Sequence, residues 1–182
     1  QSERAIALLD DLLDLAQVSH ISVGKHPTDT NVIVKEVLQE LSVENSDMPE
    51  FNIETLPQTW LPETLAYQIF SNLIGNACHY VPKESGAIEV GCWDEKEMTT
   101  YFVRDHGPGV SSKEVDSIFD IFYRGKAARG QRGTGVGLAI VRKIALRCDG
   151  EAWVEQTPGG GATFCISLPK TPKFGGLAEE SL

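Results

Sequence analysis

The stretch RGTGVGLAIVRKIA, residues 132–145, sets glycines at 133, 135 and 137 and then runs into apolar, helix-forming sequence. Glycine inside a helix costs about 1 kcal/mol relative to alanine, so a glycine run directly ahead of a helix needs a physical reason. Glycines permit positive φ and close backbone packing, and bare N–H groups at a helix N-terminus cradle phosphate. The spacing is not a Walker A loop, because no GK[ST] follows. Nor is it the dinucleotide fingerprint, because Leu138 stands where GxGxxG needs its last glycine. Taken alone, the run reads equally well as a plain loop.

Its neighbours add chemistry. Arg124, Lys126, Arg129 and Arg132 crowd cations just ahead of the glycines, in a chain of net charge −10. A solvated basic loop is one reading. A polyphosphate held at the helix N-terminus explains cations and glycines together. In RDHGPGV (104–110) a strand delivers Asp105 into a Gly-Pro-Gly turn, where a carboxylate can accept from the exocyclic amine of a flat base. The competing reading is an Asx turn. In NLIGNACHY (72–80), Asn72 and Asn76 are four apart and share a helical face, beside the row Leu65, Ile69, Leu73. Asparagine is a poor helix former, and its amide oxygen suits Mg²⁺, a hard cation that shares phosphate oxygens. His79 can donate to a phosphate or simply sit on the surface.

Composition bounds the rest. The 182 residues suit one domain with extras, and 41% hydrophobic residues suffice for a core. The acidic balance, with a pI near 4.8, argues against nucleic acid or an anionic membrane as partner. No apolar run approaches the roughly 18 residues of a membrane span, and no signal peptide opens the chain. A start at Gln1 is expected of an excised fragment or a processed product. Cys78, Cys92, Cys148 and Cys165 form no CxxC pair, which favours free thiols in a reducing cytosol. They also share no zinc-type spacing with His20, His26, His79 and His106.

Periodicity predicts an amphipathic helix over 2–19, with Ile6, Leu9, Leu13 and Ala16 as its apolar stripe. Ala5, Leu8, Leu12 and Leu15 widen that stripe, and Asp10, Asp11 and Asp14 face away. A helix is expected from Thr30 with Val32, Val34, Val37 and Leu38 as core candidates, and a strand at 51–56. Another helix, with Pro62 in its first turn, runs to Tyr80. Strands at 86–93 and 99–105 flank a turn, and 113–122 reads as a short helix. A helix at 135–147 precedes a hairpin of 151–157 with 162–169, and the tail after Pro169 is expected to be disordered.

Together, in this order, the stretches resemble the ATP-binding domain of sensor histidine kinases, within the gyrase, chaperone and mismatch-repair ATPase family. NLIGNACHY resembles the asparagine box, DHGPG the first glycine box and IFDIFYRG the phenylalanine box with its arginine. RGTGVGLAIVRKIA is similar to the second glycine box and GGGATF to the last. The resemblance implies an α/β fold: a two-layer α/β sandwich of the Bergerat type, with a mixed sheet, helices on one face and an ATP lid over about 110–133. It implies an N-terminal helix from a dimerisation hairpin at 1–23, the ATP-binding catalytic domain at 24–169 and a flexible tail at 170–182.

The resemblance also implies roles. Asp105, with Gly107 and Gly109 around it, would bind the adenine amine, and Thr163 would line the same pocket. Asn76 would hold Mg²⁺, Asn72 would order the phosphates, and Tyr80 would pack near the base. Phe122 belongs to the phenylalanine box. Arg124, Arg132 and the run Gly133, Thr134, Gly135, Val136, Gly137, Leu138 would hold the phosphates of ATP. His79 stands where the family has lysine or arginine. A neutral histidine is a weaker phosphate partner, and its contribution would depend on pH.

Relatives that hydrolyse ATP carry, by resemblance, a glutamate where Asn72 stands here. That favours phosphoryl transfer to a protein histidine over hydrolysis, with an ATPase or ATP-gated conformational module of the same fold as the alternative. A degenerate nucleotide-sensing module is disfavoured because the phosphate-binding motifs are intact. No histidine of the chain has the acceptor's setting, so the acceptor is expected on an upstream dimerisation hairpin. A response regulator's receiver domain would be the relay partner. The full-length protein would be a homodimer and this piece a monomer, with no nucleic-acid partner. The expected location is cytoplasmic, whether or not the parent is membrane-anchored.

Overall fold

Alternating apolar residues make the sheet, and helically spaced ones cover one of its faces. The computed structural model of the protein describes residues 2–18, 26–44, 47–82, 85–125 and 133–171. In chain order the elements are α1 (Ser2–Gln17), α2 (Thr30–Glu44), β1 (Phe51–Ile53), α3 (Glu63–Tyr80) and β2 (Ile88–Asp94). They continue with β3 (Met98–Arg104), α4 (Gly137–Arg147), β4 (Glu151–Gln156) and β5 (Ala162–Pro169). The sheet order is β1-β2-β3-β5-β4, with β1 parallel to β2 and every other pair antiparallel. Val90 lies opposite Val103, and Val103 opposite Phe164. These residues join Leu65, Ile69 and Leu73 of α3 and Ile140 and Ile144 of α4 in one core. This is the expected mixed α/β sandwich.

The other face of the sheet is built from alternate residues. There Trp93 stacks on Phe102 at 4.7 Å, and the Arg104 guanidinium lies 4.9 Å from the centre of the Phe102 ring. Asp29 accepts the Asn31 backbone N–H at 3.0 Å, satisfying a first-turn donor of α2. The Asn31 amide then pairs with the Leu56 backbone in both directions, at 2.8 and 2.9 Å, and so ties α2 to the connection that leads into α3.

Several expectations need correction. Val32 is half exposed, while Val34 and Val37 are buried, because α2 packs on α3 through a narrower stripe. β1 stops at Ile53, after which Glu54 adds one bond to Val90 and Asn31 captures Leu56. Pro62 occupies the N-cap of α3, ahead of its first turn. Residues 111–120 form consecutive turns in place of the expected helix over 113–122. Most of their bonds reach three residues back, as from Glu114 to Ser111 and from Asp120 to Ser117, a geometry that does not propagate. α4 begins at Gly137 and not at 135, since Gly135 has φ +75°. The pattern also continues past Pro169: the Lys170 N–H donates to Glu97 and its Nζ pairs with Asp94 at 2.9 Å. Residues 172–182 lie outside the described residues.

The largest correction concerns α1. Ile6, Leu9 and Leu13 of the expected apolar stripe are half or more exposed, and Ala16 is exposed too. Leu8 and Leu15, on the flank, pack against the core instead. The helix docks on α4 through that flank, where Lys143 Nζ donates to the Leu15 carbonyl at 2.5 Å.

Tyr101 tests this packing. It is 1% exposed, its ring edge meets Phe70 at 5.8 Å, and its hydroxyl donates to the Pro57 carbonyl at 2.9 Å. Tyr101→Phe keeps the ring and removes the donor, so denaturant titration should show a loss of about 1 kcal/mol with an unchanged m-value.

Candidate functional site

A cavity of about 330 Å³ opens between α3, the turn after β3 and the N-terminus of α4. Asn72, Asn76, His79 and Tyr80 reach it from α3, and Asp105 and Gly109 from the turn. Arg124 reaches it from the segment before residue 126, and Gly133, Thr134, Gly135, Gly137 and Leu138 from the glycine run. Gly107, Phe122, Val136 and Thr163 do not line it. Arg132, like Lys126 and Arg129, lies outside the described residues.

At one end the chemistry is that of a single carboxylate. Oδ1 of Asp105 accepts two backbone N–H groups, from Gly107 at 2.9 Å and Ala162 at 3.1 Å. The bond to Gly107 is an Asx turn, so the competing reading of this heptapeptide is true of one oxygen. Oδ2 takes no hydrogen bond from the described residues and remains for a ligand. Asp105 is 5% exposed, and burial pushes its carboxyl above the ordinary range, against the pull of those two amides and of His106. A Cβ on Gly161 would lie 2.0 Å from the Asp105 carbonyl, so the last glycine stretch packs bare backbone on the aspartate.

Thr163 sits on the far side of the sheet. Its hydroxyl bonds Thr157 at 3.0 Å and accepts from Arg104 Nε at 3.3 Å, while its strand neighbours Ala162 and Phe164 line the cavity. Strand alternation imposes that swap. Gly107 supports Asp105 from behind, its Cα facing the Tyr80 carbonyl and Val81.

The other end is built by close approach. A Cβ on Gly137 would lie 2.2 Å from Asn72 Oδ1, so glycine lets α4 start against the asparagine row of α3 without displacing the Asn72 amide. Asn72 is fixed from its other side by donating Nδ2 to the Gln68 carbonyl at 2.7 Å. The Asn76 amide makes no hydrogen bond among the described residues. Gly135 accepts the Phe122 N–H at 2.9 Å, which clamps the glycine run to a turn where Phe122 itself holds φ +66°, an uncommon conformation for a bulky residue. Val136, fully buried, takes the N-cap of α4 with no side chain capping the helix. The first-turn N–H groups are therefore open to an anion. His79 is exposed and meets Tyr80 edge-on at 5.0 Å. Burial raises the Tyr80 phenol, opposed by Arg124.

The cavity also takes residues that sequence reasoning missed: Asp11, Gly75, Glu114, Ile118 and Tyr123. Asp11 is a correction, since it was expected to face away from the domain. In the structure the Thr134 hydroxyl donates to its carboxylate. The signal was present but inverted: the helix docks by the flank opposite its most apolar stripe, and Asp11 lies on that flank.

At one end of the cavity stands a carboxylate oxygen with no hydrogen bond from the described residues, and at the other an open helix N-terminus beside two asparagines. The profile of the "Histidine kinase-, DNA gyrase B-, and HSP90-like ATPase" family covers residues 62–172. The chain belongs to that ATPase family. It is 34% identical over 171 residues to Cyanobacterial phytochrome B of a Nostoc species, covering 92% of this chain and 23% of that protein. With the signal transduction histidine-protein kinase/phosphatase MprB of Mycobacterium avium it shares 31% over 178 residues, covering 94% and 34%. The chain thus spans about a third or less of these relatives.

Among solved structures, full-length ShkA in complex with AMPPNP aligns with a TM-score of 0.73 at 25% identity, over 91% of this chain and 35% of that one. The catalytic domain of the histidine kinase ThkA aligns with a TM-score of 0.68 at 25% identity, over 81% and 98%. The fold is that of the ATP-binding catalytic domain of histidine kinases. No helix among the described residues is long and apolar enough to cross a membrane.

Asp105 yields a stability test that needs no ligand. Its folded pKa is raised, so the native state holds the proton more tightly than the unfolded chain. Stability therefore falls as pH climbs from the ordinary carboxylate value of about 4 through the raised one. Asp105→Asn keeps an acceptor for Gly107 and Ala162 and carries no charge. At neutral pH its melting temperature, without nucleotide, should equal or exceed that of the wild type. The difference between the two should vanish in acid.

Proposed function

We propose that this chain is the ATP-binding catalytic part of a sensor histidine kinase, which transfers the ATP γ-phosphoryl group to a histidine on a dimerisation hairpin. The observation that carries the reading is the division of the cavity: adenine chemistry at Asp105 and phosphate chemistry at the start of α4. The Asp105 Oδ2 accepts the adenine amine, and Tyr80 packs near the base. The first-turn amides of α4, with Arg124, hold the phosphates, and Asn72 orders them. Asn76, its amide without a hydrogen-bond partner among the described residues, fits a hard cation and would hold Mg²⁺, which neutralises phosphate charge when bound. In this reading residues 1–23 belong to the hairpin, 24–169 form the catalytic domain and 170–182 are a tail. The segment from 110 to 133 acts as a lid over the nucleotide. The protein works in the cytoplasm as a homodimer, and its phosphohistidine passes the phosphoryl group to a response regulator.

The amide at position 72 favours transfer over hydrolysis. Asn72 spends its Nδ2 on Gln68 and its Oδ1 faces Gly137, so it offers no base to a water molecule. General-base assistance contributes roughly 10²–10⁴-fold, and hydrolysis by this chain alone should be slow by that order. Incubation with γ-labelled ATP should leave it unlabelled, and fusion to the parent's hairpin should place label on a histidine of that hairpin. Brisk hydrolysis by the chain alone, lost in Asn76→Ala, would make it an ATPase instead.

Nucleotide recognition has its own test. A hydrogen bond to a charged group is worth about 1.5–3 kcal/mol. Asp105→Asn turns a donor toward the adenine amine, so calorimetry should find AMPPNP bound about ten- to a hundredfold more weakly. Unchanged affinity would remove Asp105 from base recognition.

A further inference from the structure

The nucleotide cavity has one wall that does not come from the sandwich. Helix α1 lies along α4, held at its C-terminal end by the bond from Lys143 Nζ to the Leu15 carbonyl at 2.5 Å. One turn earlier, Asp11 lines the cavity and takes the hydrogen bond of the Thr134 hydroxyl. The same hydroxyl oxygen accepts the Val136 N–H at 3.4 Å. With α1 docked, the glycine run therefore already has a bound anion, supplied by the protein: a carboxylate bonded through Thr134 to the start of α4.

We infer that Asp11 is a specificity-determining residue of the nucleotide site, and that α1 docking and phosphate binding oppose each other. The inference rests on the cavity being the ATP site. A helix N-terminus favours one anion, and a second one brought beside it meets the first at short range. A ligand phosphate at the open end of α4 and the Asp11 carboxylate compete for the Thr134 hydroxyl beside it. Binding a polyphosphate costs the Asp11 contact, and by linkage undocking of α1 raises polyphosphate affinity by the same factor. Adenosine, which reaches the Asp105 end without phosphates, is indifferent to Asp11. Charge count sets the order of the effect: ATP most, ADP less, adenosine none.

Asp11→Asn keeps the size of the side chain and its bond to Thr134 while removing the charge. For two charges about 6 Å apart in a half-exposed site, the interaction corresponds to about a three- to tenfold change in affinity. Calorimetry at low salt should find AMPPNP bound that much more tightly by Asp11→Asn than by the wild type, with adenosine affinity unchanged. The gain should shrink in high salt. Lys143→Met removes the hydrogen bond to the Leu15 carbonyl of α1 at a residue that does not line the cavity, and it should move AMPPNP affinity in the same direction. Hydrogen exchange in α1 should quicken when AMPPNP is added and stay constant with adenosine. Equal AMPPNP affinity in wild type and Asp11→Asn, or an α1 more protected by AMPPNP, overturns the inference. If the wild type binds neither AMPPNP nor adenosine, the nucleotide reading itself fails, which is a different result.

Discussion

The site depends on one steric constraint, the contact between Gly137 and Asn72. A Cβ at position 137 would lie 2.2 Å from Asn72 Oδ1, so any side chain there would have to displace the Asn72 amide that Gln68 holds in place. That approach lays the uncapped N-terminus of α4 against the Asn72–Asn76 row of α3. The sheet then supplies the other end of the cavity: β3 ends at Arg104, and the buried Asp105 follows at once. The distance between base chemistry and phosphate chemistry is thus set by how α3 and α4 pack over β3 and β5, through the core of Leu73, Ile140 and Phe164.

Much of this was legible in the sequence because it obeys local rules. Strand alternation and helical spacing placed every sheet strand and α2 to α4, and the glycine, asparagine and phenylalanine boxes named twelve residues that line the cavity. Failures came where tertiary context decides. Thr163 is adjacent to the right residues but points the wrong way, since position in a motif does not fix a strand's face. Residues 113–122 carry helical spacing, yet their bonds reach back three residues and the segment ends at the left-handed Phe122. Gly137 read as part of a phosphate cradle, and its strictest demand is packing.

Helix α1 shows why amphipathicity gives a direction without a destination. Its most apolar stripe, Ile6, Leu9 and Leu13, stays open, and the weaker flank with Leu8 and Leu15 meets the domain. Asp11, polar and so assigned to solvent, ends in the cavity. No periodicity argument could find it, because the docking partner is a helix more than a hundred residues away.

The division of the cavity into a base end and a phosphate end is tested most directly by backbone amide chemical shifts under titration with adenosine and with ATP. Adenosine should move the amides of Asp105, Gly107 and Gly109 and leave Gly135 to Leu138 still. ATP should move both sets. If ATP leaves Gly135 to Leu138 unmoved, or adenosine shifts them as strongly as ATP does, the phosphates are not held at the start of α4 and the division is wrong.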